Sequence, residues 1–239
     1  MTKEKTTKEN WPEMPWDKVV DLAERIVFQI RAGDSRGTCF AISIGKQPES
    51  ESTHYMFATA WHVVENATDS SLPIFMISAN GKIAFEAKGG FYQIIRLGSE
   101  VFDTALIYLK TSEEILPQGH LLPMLDWDLE MPKGTEIGWV GFPVIGGGEF
   151  CFFKGTISGH VKSPPTYLVD GIAINGVSGG PALDNRAHII GLVSSYMPNQ
   201  LNKYITLPGL VGLIPINAIR FYMEHKISAR IVYQGPEGF

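Results

Sequence analysis

Charge is scarce in this chain. Only 19% of its 239 residues are Asp, Glu, Lys or Arg, and the balance is mildly acidic at −5. Nucleic acids and anionic membranes are gripped by clustered basic residues. Here the basic residues are scattered, so neither is an expected partner. No apolar run reaches the ~18 to 20 residues of a membrane-crossing helix. Cysteine is rare too: Cys39 and Cys151 are the only two. They exclude a disulfide framework, and two buried free thiols in a reducing compartment are the expected state. The N-terminal "MTKEKTTKENWPEMPWDK" is polar and lacks the apolar centre of a secretory leader. These absences point to a cytoplasmic protein. Internal repeats and low-complexity segments are also missing.

What is present is apolar and finely divided. Hydrophobic residues make up 44%, ample for a core at this length, and 25 glycines and 15 prolines punctuate the chain. Short runs follow one another: "RIVFQIR", "CFAISIG", "YMFATA", "LPIFMIS", "KIAFEA", "YQIIRL", "TALIYL", "EIGWVGF", "FCFFKGTI", "TYLVD" and "HIIGLVSS". Turn residues part them roughly every ten positions, the pattern of an all-β sandwich or barrel rather than a βαβ sheet. Two helices are predicted, in "PWDKVVDLAER" and "PINAIRFYMEHK", the second with Pro215 at its start. Residues 1 to about 14 are expected to be loosely attached, although "WPEMPW" favours packing on its own barrel over a neighbouring subunit. The proline-bearing stretch 116–134 reads as a linker. The division is then 1–25 as polar segment and short helix, 26–115 as first half, and 135–239 as second half with the closing helix.

The chemistry gathers around "INGVSGGPALDN", residues 174–185. A serine hydroxyl needs a general base to become a nucleophile, and the base needs an orienting acid. Neighbouring glycines let a substrate carbonyl approach the backbone N–H groups closely. "GVSGG" also fits the G-x-S-x-G elbow of α/β-hydrolases, but an elbow runs directly into a helix. Here Gly179, Gly180 and Pro181 follow, then a strand. His188 and His225, downstream of Ser178, are poorly placed as bases, so the base is sought upstream. His62 stands where the strand of "MFATAWHVVENA" meets a helical turn, and Asp103 immediately precedes the strand of "DTALIYLK". Alone, His62 would read as a structural histidine and Asp103 as an ordinary strand-end acid. Asp69, Asp126 and Asp128 lie in polar turns, and Asp170 ends a strand near the serine.

In this order and spacing, "TAWHVV", "DTALI" and "NGVSGGP" resemble the three catalytic blocks of trypsin-like (chymotrypsin-fold) serine proteases, and most closely their HtrA-type branch. "GTCFAISIG", "GTEIGWVGFPVIGGGEFCFFKGTISG" and "GLVGLIPINAIRFYM" extend the likeness over roughly residues 26–225. The resemblance implies two antiparallel six-stranded β-barrels with the site in the cleft between them. It implies His62 as general base, Asp103 as its orienting acid, Ser178 as nucleophile, and the N–H groups of Gly176 and Ser178 as oxyanion hole. It implies a polypeptide substrate, no cofactor and no metal.

The departures carry information of their own. Val177 stands where digestive enzymes of the family have an aspartate that pairs with a new N-terminus, so activation of that kind is not expected. Relative to the HtrA-type pattern, one residue is missing between Asn175 and Gly176, which makes the oxyanion loop the point in question. A homo-oligomer or a protein partner that orders this loop fits that feature. The pocket floor is expected at Gly171 or Ile172, with Ser194, Ser195 and Tyr196 as the wall that pairs with substrate. Neither floor residue is charged, so a small or medium apolar side chain is expected on the acyl side of the cleaved bond. The short C-terminal stretch leaves no room within this chain for a PDZ domain. The leading expectation is a serine endopeptidase; an esterase is disfavoured by the block order. The alternative is an inactive or conditionally active binding module on the same fold.

Overall fold

The computed structural model describes residues 12–46, 52–68, 72–82, 84–88, 92–98, 102–116, 119–202 and 205–224, with the backbone alone at 196–202 and 205–208. Residues 1–11, Asp69, His225 with the residues after it, and the side chain of Tyr196 lie outside this description. The chain opens on helix α1 (Trp16–Ala23) and passes into β1 (Val27–Ala32), β2 (Ser35–Lys46) and β3 (Thr53–Thr59). A single helical turn, α2 (Trp61–Val64), precedes β4 (Ile74–Ser78), β5 (Ala84–Ala87), β6 (Tyr92–Arg96) and β7 (Ala105–Thr111). The second half holds β8 (Glu136–Gly141), β9 (Cys151–Lys162), β10 (Pro165–Asp170), β11 (Pro181–Leu183), β12 (Ile189–Asn202), β13 (Ile205–Pro215) and α3 (Ile216–Tyr222).

Every ladder is antiparallel, and the chain is all-β apart from the short helices. The second half closes into a six-stranded barrel, β10-β13-β12-β11-β8-β9. The first half differs from the expected six-stranded barrel. It is a seven-stranded sheet ordered β5-β4-β1-β2-β3-β7-β6, and among the described residues no ladder joins its outer strands. The seven strands are the seven apolar runs ahead of the linker; the number six came from the resemblance. The outer strands are short and carry exposed Glu86 and Arg96, the latter with its guanidinium over Trp61. Such charged, short edges discourage further pairing. Bulges at Ile42 in β2 and at Ser158 in β9, opposite Leu168/Val169 of β10, break the register and bend these strands.

Alternation packs both halves. In β1, Phe28 and Ile30 are fully buried, and Phe28 meets Phe57 of β3 edge-on at 5.5 Å. In the closed barrel, Trp139 of β8 is fully buried against backbone. A Cβ added at Gly171 would stand 2.4 Å from its ring, and one at Gly155 only 2.2 Å from the Asp170 carbonyl. Only glycine leaves room for the indole there. The stretch between β7 and β8 is packed rather than slack. Leu125 N–H donates to Ile189 at 2.9 Å, Ile189 N–H donates to Pro123 at 2.8 Å, and Arg220 of α3 donates to Leu125 at 2.8 Å while its guanidinium covers Trp127.

The N-terminal segment departs from the loose tail expected up to residue 14. Met14 N–H donates to Asn185 at 2.9 Å, and Glu13 pairs with Arg186 at 3.2 Å. Trp16 packs on Phe152 at 5.4 Å and donates through Nε1 to Glu136 at 2.9 Å. Residues 13–16 therefore lie on the second-half barrel before α1 leads into the first-half sheet. Trp139→Ala should cost about 3–5 kcal/mol of stability, read by denaturant unfolding, because the glycines around the indole cannot fill the cavity.

Candidate active site

Strand register gathers the site residues. Thr59, the last residue of β3, pairs with Ala105, the first of β7. His62 lies three residues beyond the first and Asp103 two residues before the second, so both emerge at one edge of the sheet. Ala60 stays extended and α2 then turns His62 toward Asp103. His62 N–H donates to Asp103 Oδ1 at 3.0 Å, and the ring Nδ1 is bonded to Asp103 Oδ2 at 2.8 Å. A third donor comes from the other half: Ser194 Oγ in β12 donates to Asp103 Oδ2 at 2.9 Å. The carboxylate fixes the proton of His62 on Nδ1 and leaves the Nε2 lone pair turned away from it. The Asp103 hydrogen bond raises the pKa of His62 above its ordinary 6.5; burial works against this, and the charges of Asp103 and Glu65 add to the rise.

Ser178 reaches the same edge through contacts that leave no space for side chains. Its carbonyl accepts from Thr38 N–H of β2 at 2.9 Å, and Gly179 N–H donates to Val193 at 2.7 Å. Gly179 has φ +86°, and an added Cβ would stand 2.4 Å from Thr59 Oγ1 and 2.9 Å from Ala60 N. The serine segment is thereby pressed against the end of β3, a few residues from His62. Ser178 is partly exposed. Its Oγ and His62 Nε2 take no hydrogen-bond partner among the described residues. Such catalytic contacts are commonly long without substrate.

The loop ahead of Ser178, expected to form the oxyanion hole, has a defined shape. Gly176 sits at φ +99°, where an added Cβ would strike the Phe142 carbonyl at 2.2 Å. Asn175 O accepts from Val144 N–H at 2.8 Å, which ties that carbonyl to the segment after β8. Gly176 O accepts from Thr38 Oγ1 at 2.8 Å, and Val177 N–H donates to Ile174 at 3.0 Å. Val177 itself is fully buried. Among the described residues the N–H groups of Gly176 and Ser178 have no protein acceptor, so two backbone donors stand beside the serine hydroxyl.

The expected pocket residues do not come together. Gly171 lies against Trp139, whereas Ile172 is 58% exposed. Ser194 and Ser195 instead wall a cavity of about 280 Å³ with Phe102, Val161, Thr166 and Ile214. The ladder between β11 and β12 ends at Pro181↔Leu192, so beyond Val193 that edge of β12 is unpaired among the described residues. Two roles were not read from sequence. Thr38 is the hydroxyl of "GTCF", and its partners lie in the other half of the chain. Ser194, assigned only to a wall, also bonds Asp103.

Comparison with known proteins agrees with this layout. The family model of the trypsin-like peptidase domain matches residues 37–192. The Rv3671c protease, in an inactive form, superposes with a TM-score of 0.60 over 86% of this chain and 91% of its own, at 19% identity. A serine endoprotease from Yersinia pestis gives 0.65 over 88% of this chain and 66% of its own, at 17% identity. No curated protein matches. The chain belongs to the trypsin-like peptidase family, and its half-closed, half-open β architecture is a form of the chymotrypsin-like fold. The class this defines is a serine endopeptidase acting on polypeptides.

The raised pKa of His62 has a testable sign. The protonated ring is favoured in the folded protein, so its contribution to stability is full below the unfolded value of 6.5 and is lost as pH rises through the folded value. In an NMR titration His62 should lose its proton above 6.5, and Asp103→Asn should move the midpoint downward, since burial is then opposed only by the charge of Glu65.

Proposed function

We propose that this chain hydrolyses peptide bonds through an acyl-enzyme formed on Ser178. As Ser178 Oγ attacks the scissile carbonyl, its proton passes to His62 Nε2. The carbonyl oxygen becomes an oxyanion and takes hydrogen bonds from Gly176 and Ser178 N–H. The tetrahedral species collapses, the C–N bond breaks, and His62 returns the proton to the departing amine. A water then attacks the ester with His62 again as base, releasing the acid and restoring Ser178. Asp103 holds the ring and offsets the imidazolium charge. The observation that carries this reading is the double hydrogen bond from His62 to Asp103 at the edge where Ser178 stands.

The substrate backbone adds to the open edge of β12 at Ser194–Tyr196, as an extra antiparallel strand. A small or medium apolar residue precedes the cleaved bond; the uncharged lining of the cavity beside Ser194 and Ser195, with Phe102, Val161 and Ile214, supports this. Both cysteines are free, Cys39 buried and Cys151 half-buried, which supports action in the reducing cytoplasm.

Fluorophosphonate labelling should modify the wild type and not Ser178→Ala. Absence of label in both would favour the binding-module reading. With casein or peptides, His62→Ala should lower kcat by roughly 10⁴-fold or more. A cleavage profile from a peptide library should be led by small and medium apolar residues, and one dominated by Lys and Arg would overturn that preference.

A further inference from the structure

Thr38 is fully buried where the two halves meet, and each of its polar atoms is engaged. Its N–H donates to Ser178 O at 2.9 Å, and its carbonyl accepts from Thr59 Oγ1 at 2.7 Å. Its hydroxyl donates to Gly176 O at 2.8 Å and accepts from Phe142 N–H at 3.2 Å. The fit is close: a Cβ added at Gly141 would lie 2.7 Å from Thr38 Oγ1, so glycine there keeps the hydroxyl's place open.

The position of that hydroxyl bears on the reaction. The Asn175–Gly176 peptide carries one oxyanion donor and the Val177–Ser178 peptide carries the other. The Gly176–Val177 peptide joins the two, so holding it in place fixes where one donor stands relative to the other. Gly176, at φ +99°, has a wide choice of backbone states and supplies no restraint of its own. Val177 is apolar, so its side chain offers no polar anchor. Outside the loop, the hydroxyl of Thr38 grips the middle peptide through its carbonyl, while Val144 grips the Asn175 carbonyl.

We propose that Thr38 is a positioning residue for the oxyanion hole: its hydroxyl holds the Gly176–Val177 peptide so that Gly176 N–H and Ser178 N–H face the substrate carbonyl. This rests on Ser178 as nucleophile. Thr38 touches no substrate and acts only through the loop. The first-half sheet thus sets the geometry of donors that belong to the second half.

The test compares wild type, Thr38→Val, Thr38→Ser and Ser178→Ala by peptide kcat and KM, by affinity for a peptide boronate, and by affinity for an unreactive peptide of the same sequence. The boronate forms a tetrahedral adduct on the serine and needs the hole; the unreactive peptide does not. Thr38→Val should lose about 10- to 100-fold in kcat, with KM and unreactive-peptide affinity held. Boronate affinity should fall in step with kcat/KM, and Thr38→Ser should recover most of the loss. Thr38→Ala, which adds no bulk, carries the same comparison should Thr38→Val fail to fold. Wild-type kcat in Thr38→Val beside an inactive Ser178→Ala overturns the positioning role alone. So does an equal loss in Thr38→Val and Thr38→Ser, which would mark a packing effect. Unchanged turnover in Ser178→Ala overturns the nucleophile assignment and this role with it.

Discussion

The carbonyl of Ser178 receives its hydrogen bond from a strand of the other half of the molecule. That cross-link is the constraint on which the site depends. His62 and Asp103 emerge from the first sheet and Ser178 from the second barrel, so the proposed triad is divided between the halves. Catalytic geometry tolerates errors well under 1 Å, which a slack interface would exceed. Here the junction is made largely of backbone, with Gly179 pressed against the Thr38 carbonyl of β2 and the Ala60 N–H just beyond β3. Peptide groups are short and rigid, and they leave little freedom at the contact.

A second histidine–aspartate pair shows what the first pair owes to its setting. His188 bonds Asp184 through its backbone N–H at 2.8 Å and its ring Nδ1 at 2.8 Å, the same two-point grip that His62 has on Asp103. Yet Asp184 also accepts from Arg186 N–H, and the pair closes the turn between β11 and β12. The His188 side chain is 17% exposed, against 47% for His62. Grip on an imidazole is thus a common structural device. It becomes chemistry only where the far nitrogen opens toward a substrate and a nucleophile stands at the same edge.

The sequence discloses most where the signal is local. His62, Asp103 and Ser178 each sit at a strand end marked by a change of texture, and α1 and α3 follow from their apolar spacing. The seven runs of the first half match its strands one for one. β11 escapes because three residues cannot display a period, and β13 is legible only through the resemblance of "GLVGLIPINAIRFYM", because Pro208 and two glycines interrupt its pattern. Thr38 to Gly176 and Ser194 to Asp103 span 138 and 91 residues. No local pattern encodes such partners. The substrate walls are equally hidden, because a pocket is the space several loops leave between them.

The anchoring of residues 13–16 has a consequence for how the molecule is built. From residues 13–16 on the second-half barrel, the chain crosses to form the whole first-half sheet and returns to complete that barrel. The sequence halves are therefore not the structural halves. A fragment cut within 116–134 would carry Trp16 away with the wrong partner and leave Phe152 and the backbone at Gly138 bare. The sheet and the barrel of this peptidase are laced together rather than joined in tandem, and the barrel is covered in part by chain that precedes the sheet.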